Sequence, residues 1–232
     1  MKATWRALGI ETSGRACRVA LLGIRGRPST FAEAVMGGRF EEREYSGDAA
    51  RHSEVIYGLL DEVLGRVRGA VRELSVVAVS LGPGSFTGLR VGLSVAKVIT
   101  QFGRIPLAGV PTLEAMAAEE ASASGAPFVV ATLDARRGEV YTAGFRWKGG
   151  STRPAGKPRI CLPDEALRGA PAGTRVVSDP PRAASIAALG LLRFLAGKRD
   201  DPRTLVPVYV RRPEAVEKLR RGLLPQLPRR WK

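Results

Sequence analysis

Residues Ser75 to Leu81, SVVAVSL, constrain this chain more than any other segment. The run is uncharged, rich in valine, and shows no alternation of apolar and polar residues. A strand with one wet face alternates; a continuous apolar run suits a strand buried on both faces, as in a parallel sheet. Parallel neighbours need a crossover, and the sequence supplies one. The loop Gly82-Pro83-Gly84-Ser85-Phe86-Thr87 follows, then a helix from Gly88 to about Phe102, then a short buried strand from Ile105 to Val110. The fold class is therefore α/β.

The flanking segments extend this reading. Arg6–Thr12 and Ala16–Ile24, joined through Ser13 and Gly14, form an expected β-hairpin, and Thr30–Met36 an expected third strand. From about Ala49 to Arg68, Val55, Ile56, Leu59, Leu60, Val63, Leu64 and Val67 recur at helical spacing. Asp48 is the expected N-cap of that helix and Gly69 its stop. The first half thus reads β-β-β-α-β-α-β.

In the second half a helix from Thr112 leads to a strand at Pro127–Leu133. The turn Arg136-Arg137-Gly138 joins it to Glu139–Trp147 as a second hairpin. Strands at Arg159–Leu162 and Arg175–Ser178 precede a helix over Pro181–Leu195, begun by proline. The similar order implies a duplicated unit with lobes at residues 1–108 and 109–210 and a basic tail at 211–232.

Composition bounds the function. The 232 residues are 44% hydrophobic and 25% charged, as in a globular domain. No uncharged stretch reaches the ~18 residues of a membrane helix. Arg6, Glu11, Arg15 and Arg18 interrupt any signal-peptide core. Cys17 and Cys161 offer neither metal nor disulfide spacing, so a soluble protein of a reducing, cytoplasmic compartment is expected. The formal charge of +15 is uneven, with +6 in the last 22 residues. Such a tail attracts polyanions. Arg136, Arg137, Arg220, Arg221, Arg229 and Arg230 are the candidate nucleic-acid contacts.

His52 is the only histidine, which removes histidine-pair metal sites and gives a Ser-His-Asp hydrolase just one residue for its base. At a helix start it reads as structural. The GPGSFTG loop sits where a phosphate cradle sits, between strand and helix, yet lacks the Walker lysine and the G-x-G-x-x-G spacing. A tight connection, with Pro83-Gly84 at the centre of a type II turn and Ser85 or Thr87 as cap, explains it equally. Glu11, Thr12, Ser13, Gly84 and Ser85 are the candidates for cofactor binding. Gly88, Gly92 and Ala96 form a ridge of small residues where a second helix, internal or from another chain, can pack closely.

Together these segments carry a resemblance that none carries alone. LGIETSGRACRVALL at 8–22, HSEVIYGLLDEVL at 52–64, VAVSLGPGSFTGLRVGLSVAK at 77–97, IPLAGVPTLEAMA at 105–117 and DARRGEVYTAGF at 134–145 resemble the TsaB (YeaZ) family. VPVYVRRPEA at 206–215 is similar to that family's closing P-x-Y-x-R-x-x-x-A element. The family supplies a bacterial subunit for making threonylcarbamoyladenosine beside the tRNA anticodon.

The resemblance implies an actin-like/sugar-kinase/Hsp70-type (ASKHA) duplicated fold. It also implies pairing with the catalytic subunit TsaD through the two long helices of the first half. Val55, Ile56, Leu59, Leu60, Val63, Gly88, Leu89, Gly92 and Ala96 are then the partner-binding candidates. TsaD binds its metal through two histidines four residues apart, and Thr112 and Met116 stand at the corresponding positions here. The implied protein is a non-catalytic scaffold with no catalytic residue, metal or cofactor of its own. ATP and threonylcarbamoyl-AMP are used by the complex, which includes TsaE and takes tRNA. For the free chain, a homodimer through the same helices and a monomer both stay open. A stand-alone actin-like ATPase or kinase, and an RNA-binding protein acting through its tail, are the alternatives.

Overall fold

In the computed structural model the described residues are 3–47, 51–65 and 70–211. The first sheet contains β1 (Thr4–Glu11), β2 (Ala16–Arg25), β3 (Gly38–Ser46), β4 (Val76–Gly82) and β5 (Leu107–Pro111), in the order β3-β2-β1-β4-β5. Strands β1, β2 and β3 are antiparallel neighbours, whereas β4 runs parallel to both β1 and β5. The valine run is the fully buried β4, as its composition requires.

Helices cover both faces of this sheet. On one lie α2 (His52–Leu64) and α3 (Phe86–Gly103), which bury Ile56, Leu60, Val63, Leu93 and Ala96 against Leu8, Ile10, Val77 and Val79. On the other lie α1 (Phe31–Gly37) and α5 (Ala183–Leu195), against Ala7, Leu22, Val76 and Ala78. Helix α5 approaches so closely that a Cβ on Gly9 would overlap Ala183 O, and one on Gly190 would overlap the Ala78 side chain.

The second sheet holds β6 (Phe128–Asp134), β7 (Val140–Lys148), β8 (Ser151–Pro154), β9 (Arg159–Cys161) and β10 (Arg175–Val177). Its order is β10-β6-β7-β8, with β9 also paired to β7. The hairpin β6–β7 with β10 parallel beside β6 repeats β1–β2 with β4. Helix α4 (Thr112–Ser124) packs Leu113, Met116 and Ala117 onto this sheet. Two mixed sheets with flanking helices make the ASKHA-type fold. Residue 108 falls inside β5, and α5 lies on the first sheet although it comes late in the chain.

Two expectations need correction. Thr30–Met36 is not a strand: Thr30 accepts a hydrogen bond from Glu33 N at 3.2 Å, Ser29 N donates to the Glu33 carboxylate at 2.7 Å, and α1 starts. This reciprocal capping outweighs the apolar look of the segment. The third strand is the charged β3, paired with β2 along nine residues. Helix α5 is not begun by proline either. Arg182 is its N-cap, and the Ala183 N–H donates to Glu42 at 2.8 Å, a carboxylate at the positive end of the helix. Helix α2 begins at His52 with Arg51 before it; Asp48 and Gly69 lie outside the described residues.

Candidate functional site at the carboxyl ends of β1 and β4

The adjacent parallel strands β1 and β4 end together, and their loops meet there. In an open α/β sheet this is where ligands commonly bind. The turn Glu11-Thr12-Ser13 leaves β1, and the GPGSFTG loop leaves β4.

Here the two loops pack on each other. Ser85 N donates to Ser13 O at 2.6 Å, and a Cβ on Gly84 would overlap the same carbonyl. Thr12 N donates to Ser80 Oγ at 3.3 Å, and Gly82 N to Thr112 Oγ1 at 3.1 Å. Ser85 Oγ accepts from Gly88 N at 3.2 Å and so caps α3. The expected type II turn is not formed: it needs positive φ at Gly84, but the positive value, +102°, falls at Gly82. Two amides of this segment, those of Ser85 and Gly88, are thus committed to Ser13 O and to the helix cap.

Glu11 is fully buried. Its Oε1 accepts from Ser13 N at 2.6 Å and Ser13 Oγ at 2.5 Å, while Oε2 has no partner. Burial, the largest influence, raises its pKa above the ordinary carboxylate value despite those donors. Burial, with Glu11 adding to it, pushes the Cys17 thiol up to about 12. His52 is buried as well; its Nε2 lies 3.1 Å from Arg15 O, so that nitrogen carries the proton, and Nδ1 has no partner.

The glycine ridge of α3 meets this turn. A Cβ on Gly88 would overlap Thr12 O, and one on Gly92 would overlap Thr12 Oγ1. The ridge is therefore filled by the chain's own Thr12, with His52 beside Gly88. Gly88, Gly92 and Ala96, expected as a contact surface, are all buried within the chain. Ile56, Leu59, Leu60 and Val63 are buried in the core on this face of the sheet, Leu89 is buried as well, and Val55 is partly exposed. What α2 and α3 turn outward is different: Tyr57 is 64% exposed, Val98 51% and Phe102 86%.

The segment 206–211 straps the loop from outside, a feature unread in the sequence. Val208 N donates to Leu81 O at 2.8 Å, and the Tyr209 ring sits 5.3 Å from that of Phe86. Arg90 lies over Phe86 at 4.3 Å and donates to Tyr209 Oη at 3.3 Å. Arg211 pairs with Glu139 of the second lobe. P-x-Y at 207–209 was the available signal, because proline and an aromatic at fixed spacing fit an extended strap.

Arg136 and Arg137 stand at the exposed tip of the β6–β7 hairpin with φ of 65° and 59°, held by an Asp134 Oδ1 bond from Arg136 N at 2.7 Å. Arg220, Arg221, Arg229 and Arg230 lie outside the described residues. Thr112 and Met116 are both committed inward, Thr112 to Gly82 and Met116 to the second core at 1% exposure. Among the described residues no group of three or more His, Cys, Asp or Glu converges, and no helix is long and apolar enough to cross a membrane.

Residues 46–192 match the family model TsaD, tRNA N6-adenosine threonylcarbamoyltransferase. The tRNA threonylcarbamoyladenosine biosynthesis protein TsaB of Escherichia coli is 32% identical over 163 residues, 67% of this chain and 64% of that protein. The chain belongs to the TsaB/YeaZ family. The Haemophilus influenzae TsaB is 29% identical over 173 residues, 69% of this chain and 65% of its own length. The matches thus span somewhat less than two thirds of these relatives. YeaZ from Pseudomonas aeruginosa has the same fold, with a TM-score of 0.72 at 22% identity, covering 88% of this chain and 99% of that one. A TsaB/YeaZ chain with its β1 and β4 loops packed together is the object whose function must be explained.

Proposed function

We propose that this chain serves the synthesis of N6-threonylcarbamoyladenosine in tRNA as a non-catalytic partner of TsaD. The observation that carries the reading is the use made of Thr112 and Met116. At the positions where the family resemblance puts the metal-binding histidines of TsaD, a hydroxyl holds a loop amide and a thioether fills a core. Neither side chain supplies the imidazole pair that such a site needs.

The outward faces of α2 and α3 suit the partner role. Tyr57, Val98 and Phe102 are large apolar groups left open on adjacent helices, and such groups gain from cover. They, rather than the buried ridge, are the proposed contacts with TsaD, and with a second copy when TsaD is absent. TsaE joins the complex, and the complex uses ATP, threonylcarbamoyl-AMP and tRNA in the cytoplasm. Against the stand-alone kinase reading stands the packing of the loop after β4 on the chain itself, with Gly84 against Ser13 and the Ser85 N–H bound to Ser13 O.

The test is reconstitution. The chain and TsaD should co-elute as one complex, and threonylcarbamoyl transfer from threonylcarbamoyl-AMP to tRNA should need both. Transfer by the chain alone, or full transfer by TsaD without it, would overturn the proposal.

A further inference from the structure

The first sheet carries a second feature at its other end, away from Glu11 and the glycine loop. Thr4, Arg6, Gly23, Arg25, Gly37 and Arg39 line a groove of about 330 Å³ where β1 begins, β2 ends and β3 begins. The register explains the cluster: Thr4 pairs with Arg25, and Gly23 stands between Arg6 on one side and Arg39 on the other. Directly paired residues share a face of a sheet, so all three guanidinium groups surround Gly23 on one face.

Gly23 is the floor. Nothing lies within 4 Å of where its Cβ would be, so the glycine leaves open space and is not there for close packing. Arg6 faces Glu73. Arg25 and Arg39 are exposed and have no acidic partner among the described residues, although Arg43, four residues beyond Arg39 on β3, pairs with both Glu41 and Glu62. The local excess is positive, on a chain whose total is +15.

We propose that this groove binds the phosphodiester backbone of an RNA. Guanidinium forks match phosphate oxygens two at a time, and several such groups spaced along strands suit a chain of phosphates better than one small anion. The choice of RNA among polyanions rests on the function proposed above, whose substrate is tRNA. The ridge of Arg136 and Arg137 lies on the other sheet and is not part of this surface.

Unmodified fluorescent tRNA, titrated with the full chain between about 50 and 200 mM salt, tests the proposal. Arg25→Ala/Arg39→Ala should weaken binding several-fold and flatten the log–log salt slope by about two phosphate contacts. Gly23→Leu, which fills the floor, should weaken binding with all three arginines in place. Melting curves and gel filtration with TsaD should match wild type for both. Wild-type affinity and slope in the two variants would overturn the proposal. So would poly-glutamate competing as well as tRNA, or inorganic pyrophosphate saturating the groove while tRNA binding is unchanged by either variant. Failure of the wild-type chain to join TsaD would overturn the proposed function instead, and the two failures are read in separate experiments.

Discussion

Thr12 fills the notch that Gly92 leaves in α3: a methyl group added to Gly92 would overlap Thr12 Oγ1. That hydroxyl is buried and has no hydrogen-bond partner. Gly92→Ala should therefore destabilise the fold despite the ~1 kcal/mol helix gain of alanine over glycine. Overpacking costs about 1–3 kcal/mol, which leaves a net loss of up to about 2 kcal/mol and a Tm fall of up to about 8 °C by calorimetry. Thr12→Ala, which removes the obstructing oxygen, should recover most of the loss in the double variant. Gly92→Leu accordingly tests the core, not an interface.

Glu11 gives the stability a pH signature. Its pKa is raised in the folded state by burial, so the folded chain holds a proton that the unfolded chain releases near 4.5. That stabilisation is complete below the unfolded value and is lost as pH rises through the folded one. Glu11→Gln keeps the acceptor for Ser13 N and never ionises. Its Tm should exceed that of wild type at neutral pH, and the gap should close as pH falls toward 4.5. A gap independent of pH would show that Glu11 is already ionised in the fold.

The two kinds of apolar residue on α2 and α3 should separate cleanly. Leu60→Ala removes core packing and should cost about 2–5 kcal/mol, seen as a lower denaturation midpoint. Tyr57→Ser and Phe102→Ser alter exposed side chains and should leave that midpoint within about 0.5 kcal/mol. If those faces meet TsaD, the two serine variants should weaken co-elution with it.

Much of this was legible in the sequence, and the failures have physical reasons. The valine run and the spacing in α2 named strand and helix because burial on two faces, or on one stripe, leaves a periodic mark. Strand β3, GRFEEREYS, left none: Glu41, Glu42, Arg43 and Glu44 are consecutive charges that break any apolar alternation, with Glu44 paired to Arg18 and Arg43 to Glu62. The Gly88/Gly92/Ala96 ridge was read correctly as a site of close approach, but sequence spacing cannot say what approaches. The answer was a threonine from a distant turn. The groove around Gly23 was invisible because its arginines come from three strands and converge only through their register.

Thiol chemistry offers a simple check on the buried end of β2. Cys17 and Cys161 are both buried, and the Cys17 thiol is held up at about 12. The thiolate is the reactive form. Neither cysteine should be alkylated by iodoacetamide near pH 8 in the native protein, and both should react in guanidinium. Rapid labelling of the native chain would mean that β2 opens locally.

Helix α5 lies across the back of a sheet whose strands were all made at least seventy residues earlier. During synthesis, Gly9 and Ala78 must wait beside bare solvent until residues 183–195 leave the ribosome, and the loop after β4 waits longer still for Tyr209. The amino-terminal half is thus a partly assembled object for most of translation. Its last two tenths act as a latch that finishes the work of the first, so a chain cut short near residue 180 should be a target for proteases and chaperones rather than a smaller working version.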